Sequence, residues 1–164
     1  MMAAGTVSQS DHTTSVIKEP TIAIIDGSNV AYQGQKGPRL RHLMAVVDEV
    51  RRYYPQLVVI ADANLRHKID DKQNYEALQV EGIICQAPAG IRADSTIIET
   101  VNKLMRKGQK VVVISNDLGI GRCLPDETMR ISIFSVDIGA DTEVMLFPIV
   151  DPSQSEPVDM TVGP

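Results

Sequence analysis

The chain has 164 residues, of which 43% are hydrophobic, enough apolar material to bury the core of one domain. The formal net charge is −5, but residues 131–164 hold six acids and no Lys or Arg, whereas residues 1–130 carry 16 basic and 15 acidic side chains. The acidic total therefore does not exclude an anionic substrate.

The ends of the chain and its cysteines set the expected organisation. Residues 1–19 are rich in Ser, Thr, Ala and Gly, and residues 151–164 are rich in Pro, Ser and acids. A disordered N-terminal tail and a flexible acidic C-terminal tail are therefore expected on either side of a domain at 20–150.

No apolar run approaches the roughly 18 residues that span a bilayer. Cys85 and Cys123 lack zinc-site spacing. A cytoplasmic protein with reduced thiols and no membrane contact is expected.

The first predicted element is the apolar run at residues 22–25, which leads without alternation into Asp26 and the sequence GSN. Such a run predicts a strand that is covered on both faces, as in a parallel sheet. Apolar residues then recur at helical spacing over residues 40–54, and Pro55 ends the predicted helix.

The pattern of an apolar strand that ends in an acid occurs twice more. Residues 57–61 precede Asp62, and residues 110–115 precede Asn116 and Asp117. Between them, a helix with one apolar face begins at or near Asp94. The other predicted elements are a short helix capped by Asp70 or Asp71 and closed by Gly82, and strands at residues 83–86, 131–136 and 144–147.

Strands that alternate with helices predict a three-layer α/β domain with a central parallel sheet of four or five strands. The carboxyl ends of parallel strands share one edge, so Asp26, Asp62 and Asp117 should be neighbours, and Asp94 should enter from a helix start at that edge. Clustered carboxylates repel one another unless a cation lies among them, and hard oxygen ligands select Mg²⁺ or Mn²⁺. A pocket of this kind suits hydrolysis of a phosphodiester, because the metal activates a water and stabilises charge on the phosphate.

Three motifs resemble those of a known family. They are IDGSNVA at residues 25–31, ADSTIIETVNKL starting at Ala93, and VVVISND at residues 111–117. In order and spacing they resemble the acid-bearing motifs of the NYN branch of PIN-like ribonucleases, and the first is closest to the Regnase-type subgroup. The resemblance covers about residues 20–150. It implies a PIN-like fold and a metal-dependent endoribonuclease whose cut leaves a 5′-phosphate and a 3′-hydroxyl.

The resemblance also implies roles for particular side chains. It matches Asp26, Asp94 and Asp117 to the family's metal-binding acids, and Asn29 to the asparagine beside the first acid, expected to position water or phosphate. Asp62 is not part of this match. Its position at a strand end alone predicts that it completes the metal shell.

The chain departs from the Regnase-type pattern at two points. Ala93 precedes Asp94 where that subgroup has paired acids, which is expected to weaken or reposition a second metal. No Cys/His zinc finger follows the domain, so targeting to RNA through such a finger is not expected.

Basic residues near the strand ends are candidates for contacts with phosphates. They are Lys36, Arg39, Arg66, Lys68 and Arg92. Trp is absent and Tyr32 is the aromatic residue nearest the predicted site, so low sequence specificity is expected. The expected substrate is single-stranded or looped RNA, and a homodimer is compatible with the sequence. His42 is expected at the surface or in a local hydrogen bond.

Other functions remain as alternatives or are disfavoured. The main alternative is a catalytically silent RNA-binding or protein-interaction module with the same fold, and Ala93 in place of an acid is the feature that favours it. A DNA-directed flap nuclease would need helical arches that this short chain lacks. Neither GxGxxG after the first strand nor a P-loop occurs, so dinucleotide and P-loop sites lack their phosphate cradles.

Overall fold

The computed structural model describes residues 20–33 and 37–149. The strands within them are β1 (Ile22–Asp26), β2 (Leu57–Ala61), β3 (Ile84–Gln86), β4 (Val111–Ile114), β5 (Met129–Ile138) and β6 (Asp141–Ile149). The helices are α1 (Gly27–Ala31), α2 (Leu40–Tyr53), α3 (Leu65–Lys68), α4 (Lys72–Val80), α5 (Ala93–Arg106) and α6 (Leu118–Gly121). Lys36 and the two predicted tails lie outside the described residues.

The sheet has the strand order β3-β2-β1-β4-β5-β6, and every neighbouring pair is parallel except β5 and β6. The five parallel strands agree with the predicted four or five. β6 runs antiparallel because only Gly139 and Ala140 connect it to β5, and two residues cannot make the crossover that a parallel pair needs. Gly139 adopts φ 63°, which suits this tight turn. The last two predicted strands are therefore a longer hairpin, and the sheet is mixed.

Helices cover both faces of the central strands. Ala23 and Ile25 of β1 share one buried cluster with residues of α1 to α4, whereas Ile24 belongs to a second cluster with Ile97 of α5 and Ile120 of α6. β1 is thus buried on both faces, as its unbroken apolar run predicts. The predicted three-layer α/β class is confirmed. In the part of the chain that the structure describes, no helix is long and apolar enough to cross a membrane.

The prediction for His42 on α2 is wrong. This side chain is only 2% exposed, and its Nε2 lies 3.1 Å from Oδ1 of Asp137 on β5. Nη2 of Arg41 lies 2.8 Å from the same carboxylate oxygen. These contacts join α2 to the hairpin across about 95 positions of sequence, and a local pattern cannot reveal such a distant partner.

Candidate active site

The carboxyl edge of the central strands brings the four predicted acids together. Asp26 is the last residue of β1, Asp62 follows β2 directly, and Asp117 lies just beyond β4. Asp94 lies in the first turn of α5. Together they line a cleft of about 180 Å³, called here the acidic cleft. Its lining residues are Asp26, Ser28, Asn29, Asp62, Arg92, Ala93, Asp94 and Asp117.

Asp26 is the most buried of these acids, with 5% of its surface exposed. Burial disfavours the charged carboxylate and raises the pKa of Asp26 from 3.8 to about 6. Hydrogen bonds from Ser115 and from the backbone of Asn29 lower this pKa, whereas the charges of Asp117 and Asp62 raise it further. Asp26 is therefore a carboxylate whose negative charge the surrounding protein does not neutralise.

Ser115 holds Asp26 in place, although the sequence alone predicts no role for it in the site. Its hydroxyl donates to Oδ2 of Asp26 at 2.9 Å, and its oxygen accepts the backbone N–H of Asp117 at 3.1 Å. The side chain is 2% exposed. One signal for it exists in the sequence, because this serine continues an otherwise apolar buried strand and directly precedes Asn116 and Asp117. Ser115 thus couples two acids of the cleft.

A tight turn at Gly27 sends the chain from β1 into α1. A Cβ atom at this position would lie 2.6 Å from Cγ1 of Val59 and 3.2 Å from the carbonyl oxygen of Ile60, both on β2. The carboxylate of Asp26 accepts the backbone N–H of Asn29 at 3.3 Å and so caps the helix that follows. The absence of a side chain at Gly27 therefore allows α1 to begin directly above the neighbouring strand.

Asp62 is bonded to both of its neighbours in the cleft. Its backbone N–H donates to Oγ of Ser28 at 2.9 Å, and its Oδ1 accepts the backbone N–H of Ala93 at 2.6 Å. The second bond satisfies one of the orphan donors at the start of α5. Asp62 therefore ties β2 to α1 and to α5, which places Asp94 beside the strand ends.

Asn29 is fixed through Asn116, a second residue for which the sequence alone predicts no role in the site. Oδ1 of Asn29 accepts the backbone N–H of Asn116 at 3.0 Å. The Asn116 side chain in turn accepts from the backbone N–H of Ile133 at 2.7 Å and donates to its carbonyl at 2.8 Å. Asn116 thereby extends the pairing of β4 with β5. Because its backbone N–H occupies Oδ1 of Asn29, the Nδ2 group of Asn29 is the donor that this side chain can offer to the cleft.

Asp94 and Arg92 form a loose pair at the rim of the cleft. Nη2 of Arg92 lies 3.5 Å from Oδ2 of Asp94, and the Arg92 side chain is 81% exposed. An exposed pair of this length contributes little to stability, so the guanidinium can turn towards another anion at small cost.

Comparison with known proteins identifies the family of this chain. The profile of the family described as the Zc3h12a-like ribonuclease NYN domain matches residues 20–118. The chain belongs to this family. The match spans β1 to the start of α6, and it includes Asp26, Asp62, Asp94 and Asp117. Among curated proteins, none matches this NYN domain.

Three solved structures from T5 are similar to the NYN domain in part. T5 D15 protein co-crystallised with metal ions is 15% identical, with a TM-score of 0.46 over 68% of this chain and 54% of its own. A mutant of T5 5′-exonuclease is 18% identical, with a TM-score of 0.48 over 69% and 50%. T5 5′-exonuclease with bound zinc is 16% identical, with a TM-score of 0.43 over 68% and 55%. The NYN domain thus spans about half the length of these nucleases.

The donor chemistry of the acidic cleft suits a hard divalent cation. Four carboxylates supply only oxygen atoms, the ligand type that Mg²⁺ and Mn²⁺ prefer, and His and Cys are absent from the lining. Within residues 20–33 and 37–149, no three such side chains are already grouped closely enough to hold an ion. A cation bound in this NYN domain would therefore have to draw the carboxylates closer together.

The predicted phosphate-binding residues lie at different places. Arg92 lines the acidic cleft, whereas Arg39 is exposed just before α2 and does not line it. Arg66 is exposed on α3, where its Nε donates to Nε2 of His67 at 3.2 Å, and it is likewise absent from the cleft wall. Among the predicted residues Arg39, Arg66 and Arg92, Arg92 is thus the one that lines the acidic cleft.

Proposed function

We propose that this NYN domain is a metal-dependent endoribonuclease that hydrolyses RNA phosphodiester bonds in the acidic cleft. The observation that carries the proposal is the convergence of Asp26, Asp62, Asp94 and Asp117 on one cleft from four separate segments of the chain. Membership of a ribonuclease family supports RNA as the substrate. A cleft lined by carboxylates would repel the phosphates of RNA, so a cation is needed for the substrate to enter.

The proposed cofactor is Mg²⁺ or Mn²⁺. Asp26, Asp94 and Asp117 would hold it, and Asp62 would complete the shell through its Oδ2, since its Oδ1 already accepts from Ala93. A bound ion of this kind supplies a Lewis acid for the phosphate oxygens and lowers the pKa of a water to make a nucleophile. The raised pKa of Asp26 supports the proposal, because a proton must leave this carboxyl before a metal can bind, and metal affinity should therefore increase with pH.

Asn29 and Arg92 would position the substrate. The Oδ1 of Asn29 is engaged by Asn116, so its Nδ2 group donates towards a phosphate oxygen or the attacking water. Arg92 would leave its loose contact with Asp94 and pair with a phosphate, for which the planar guanidinium is well suited. Lys36, Arg39 and Arg66 remain candidates for contacts with more distant phosphates.

The proposed substrate is single-stranded or looped RNA, cut to leave a 5′-phosphate and a 3′-hydroxyl in the cytoplasm. A circular single-stranded RNA tests this directly, because only an endonuclease can linearise it. We expect linearisation with Mn²⁺ or Mg²⁺ and none with EDTA, and ligation of the linear product should succeed without prior phosphorylation. A circle that stays intact with either metal would contradict the proposal.

The second candidate is a catalytically silent module that binds RNA or protein with the same fold. Two observations favour it: Ala93 stands beside Asp94 in place of an acid, and the described carboxylates are not grouped as ligands. Titration calorimetry with Mn²⁺ separates the two candidates. Binding that Asp117→Asn abolishes supports the nuclease, whereas RNA binding with no detectable Mn²⁺ binding supports the silent module.

A homodimer is also proposed. The outer face of the β5–β6 hairpin supports this, because Phe134, Met145 and Phe147 are each about half exposed there. Sedimentation velocity over a range of concentrations tests it, and a monomer at every concentration would contradict it.

A further inference from the structure

A second, larger cleft adjoins the acidic cleft. It has a volume of about 400 Å³ and is lined by residues 28, 32, 62–65, 68 and 89–92. This volume lies within the range of about 300–1,000 Å³ that is usual for small-molecule sites. The two clefts share Ser28, Asp62 and Arg92. A chain-like ligand can therefore pass from one cleft to the other without leaving the protein surface.

The walls of the second cleft offer large apolar surfaces to solvent. Tyr32, directly after α1, is 42% exposed, and Ile91, in the loop before α5, is 48% exposed. The loop is a formed turn, in which the backbone N–H of Ile91 donates to the carbonyl of Pro88 at 3.0 Å. Apolar groups of this kind around a cleft suit a flat ring, since a ring can stack on tyrosine and contact an aliphatic side chain.

The polar groups of the second cleft suit the rest of a nucleotide. Lys68 is exposed on α3 and Arg92 lies at the junction of the two clefts, so two cations face the path of a backbone. Asn64 precedes α3, but its side chain does not cap that helix, which leaves its amide for the edge of a base. Aromatic, amide and cationic groups thus occur together beside the proposed site of cleavage.

We propose that the second cleft binds the unpaired nucleoside next to the phosphate that is cut. This inference rests on the proposed function, because it takes the acidic cleft as the position of that phosphate. A base within a duplex is stacked on both sides and paired along its edge, so it cannot enter such a cleft. The second cleft therefore selects single-stranded or looped RNA over duplex RNA.

A double-perturbation experiment tests the proposal. The affinity of a short single-stranded RNA is measured by fluorescence polarisation with Ca²⁺ in place of Mg²⁺ or Mn²⁺, together with copies in which one position at a time carries an abasic ribose. Ca²⁺ also takes oxygen ligands, so it can offset the charge of the acidic cleft. The proteins are the wild type, Tyr32→Ala, Ile91→Ala and the matched control Tyr53→Ala, whose tyrosine is 63% exposed on α2 and lines neither cleft. We expect one abasic position to weaken binding to the wild type by about tenfold, the effect of losing one stacked base.

The variants show whether the missing base and the missing side chain act on the same contact. Tyr32→Ala should bind the intact RNA about tenfold more weakly and lose nothing further at the sensitive abasic position, whereas Tyr53→Ala should behave as the wild type. Equal losses for the wild type and Tyr32→Ala at every abasic position, or no RNA binding by the wild type, would overturn the proposal. Ile91→Ala gives the same test if Tyr32→Ala does not fold.

The experiments distinguish a failure of this proposal from a failure of the proposed function. Linearisation of circular RNA without coupling between Tyr32 and an abasic position removes the nucleoside subsite and leaves the nuclease. Coupling without linearisation removes the nuclease and leaves a site for an unpaired nucleoside.

Discussion

Replacement of Asp26 by asparagine should stabilise the metal-free protein at neutral and alkaline pH. Asp26 is 5% exposed and lies near the charges of Asp117 and Asp62, so its ionised form is unfavourable without a cation. Asparagine keeps the shape of the side chain, and its carbonyl oxygen can still accept the backbone N–H of Asn29. A residue of the proposed metal site is thus expected to reduce stability when no metal is present.

The magnitude follows from the pKa of Asp26. A carboxyl whose pKa is about 6 in the folded state and 3.8 as a model group binds more protons folded than unfolded between these values. Its contribution to stability is complete below pH 3.8 and is lost as the pH rises through about 6. The shift corresponds to roughly 3 kcal/mol as an upper value, at about 1.4 kcal/mol per pKa unit. Asp26→Asn should therefore raise the unfolding free energy by up to about 3 kcal/mol at pH 8 and change it little at pH 4.

Urea unfolding in EDTA at pH 4 and pH 8 measures this difference. The matched control is Asp48→Asn, because Asp48 is exposed on α2 and does not line the acidic cleft. Addition of Mn²⁺ at pH 8 should raise the stability of the wild type more than that of Asp26→Asn. A difference between the wild type and Asp26→Asn that is the same at both pH values would refute the assignment of Asp26 as a strained, buried acid.

Three further changes have expected outcomes. Ser115→Ala removes the hydrogen bond to Asp26 and should raise the pKa of that carboxyl by about one unit. Carbon NMR titration in EDTA measures this pKa, and an unchanged value would mean that the hydrogen bond does not affect it. Gly27→Ala places a Cβ atom 2.6 Å from Cγ1 of Val59 and should lower the unfolding free energy by about 1–3 kcal/mol. Urea unfolding measures this change, and a variant as stable as the wild type would contradict it. Asn29→Ala should slow RNA cleavage by at least about tenfold through loss of the donor Nδ2, and an unchanged kcat would exclude that role.

The sequence predicts the meeting of the acids because one rule of topology is enough. Asp26, Asp62 and Asp117 each follow an apolar strand, and parallel strands end at the same edge of a sheet, so their proximity needs no knowledge of side-chain packing. The start of α5 at Asp94 follows from the helical spacing and from the favourable position of an acid in a first turn.

The partners of these acids were not predictable in the same way. Ser115 and Asn116 act through contacts with residues 17 to 89 positions away in the sequence. Asp137 contacts His42, which is 95 positions away. Local periodicity carries no information about such pairs. The last strand was predicted as residues 144–147, shorter than β6, because the exposed outer face of the hairpin alternates with its inner face and weakens the continuous apolar pattern that marked the earlier strands. Its antiparallel direction was not predicted, and it follows from the two-residue connection to β5.

The most direct test of the account is cleavage of an end-labelled single-stranded RNA by the wild type, Asp26→Asn, Asp117→Asn and the control Asp48→Asn, each with Mn²⁺, Mg²⁺ or EDTA. We expect internal cuts by the wild type and Asp48→Asn only when a metal is present, and none by the two site variants. Cleavage that survives both site substitutions would contradict the acidic cleft as the catalytic site, and a wild type that binds the RNA without cutting it would mean that the fold serves recognition alone.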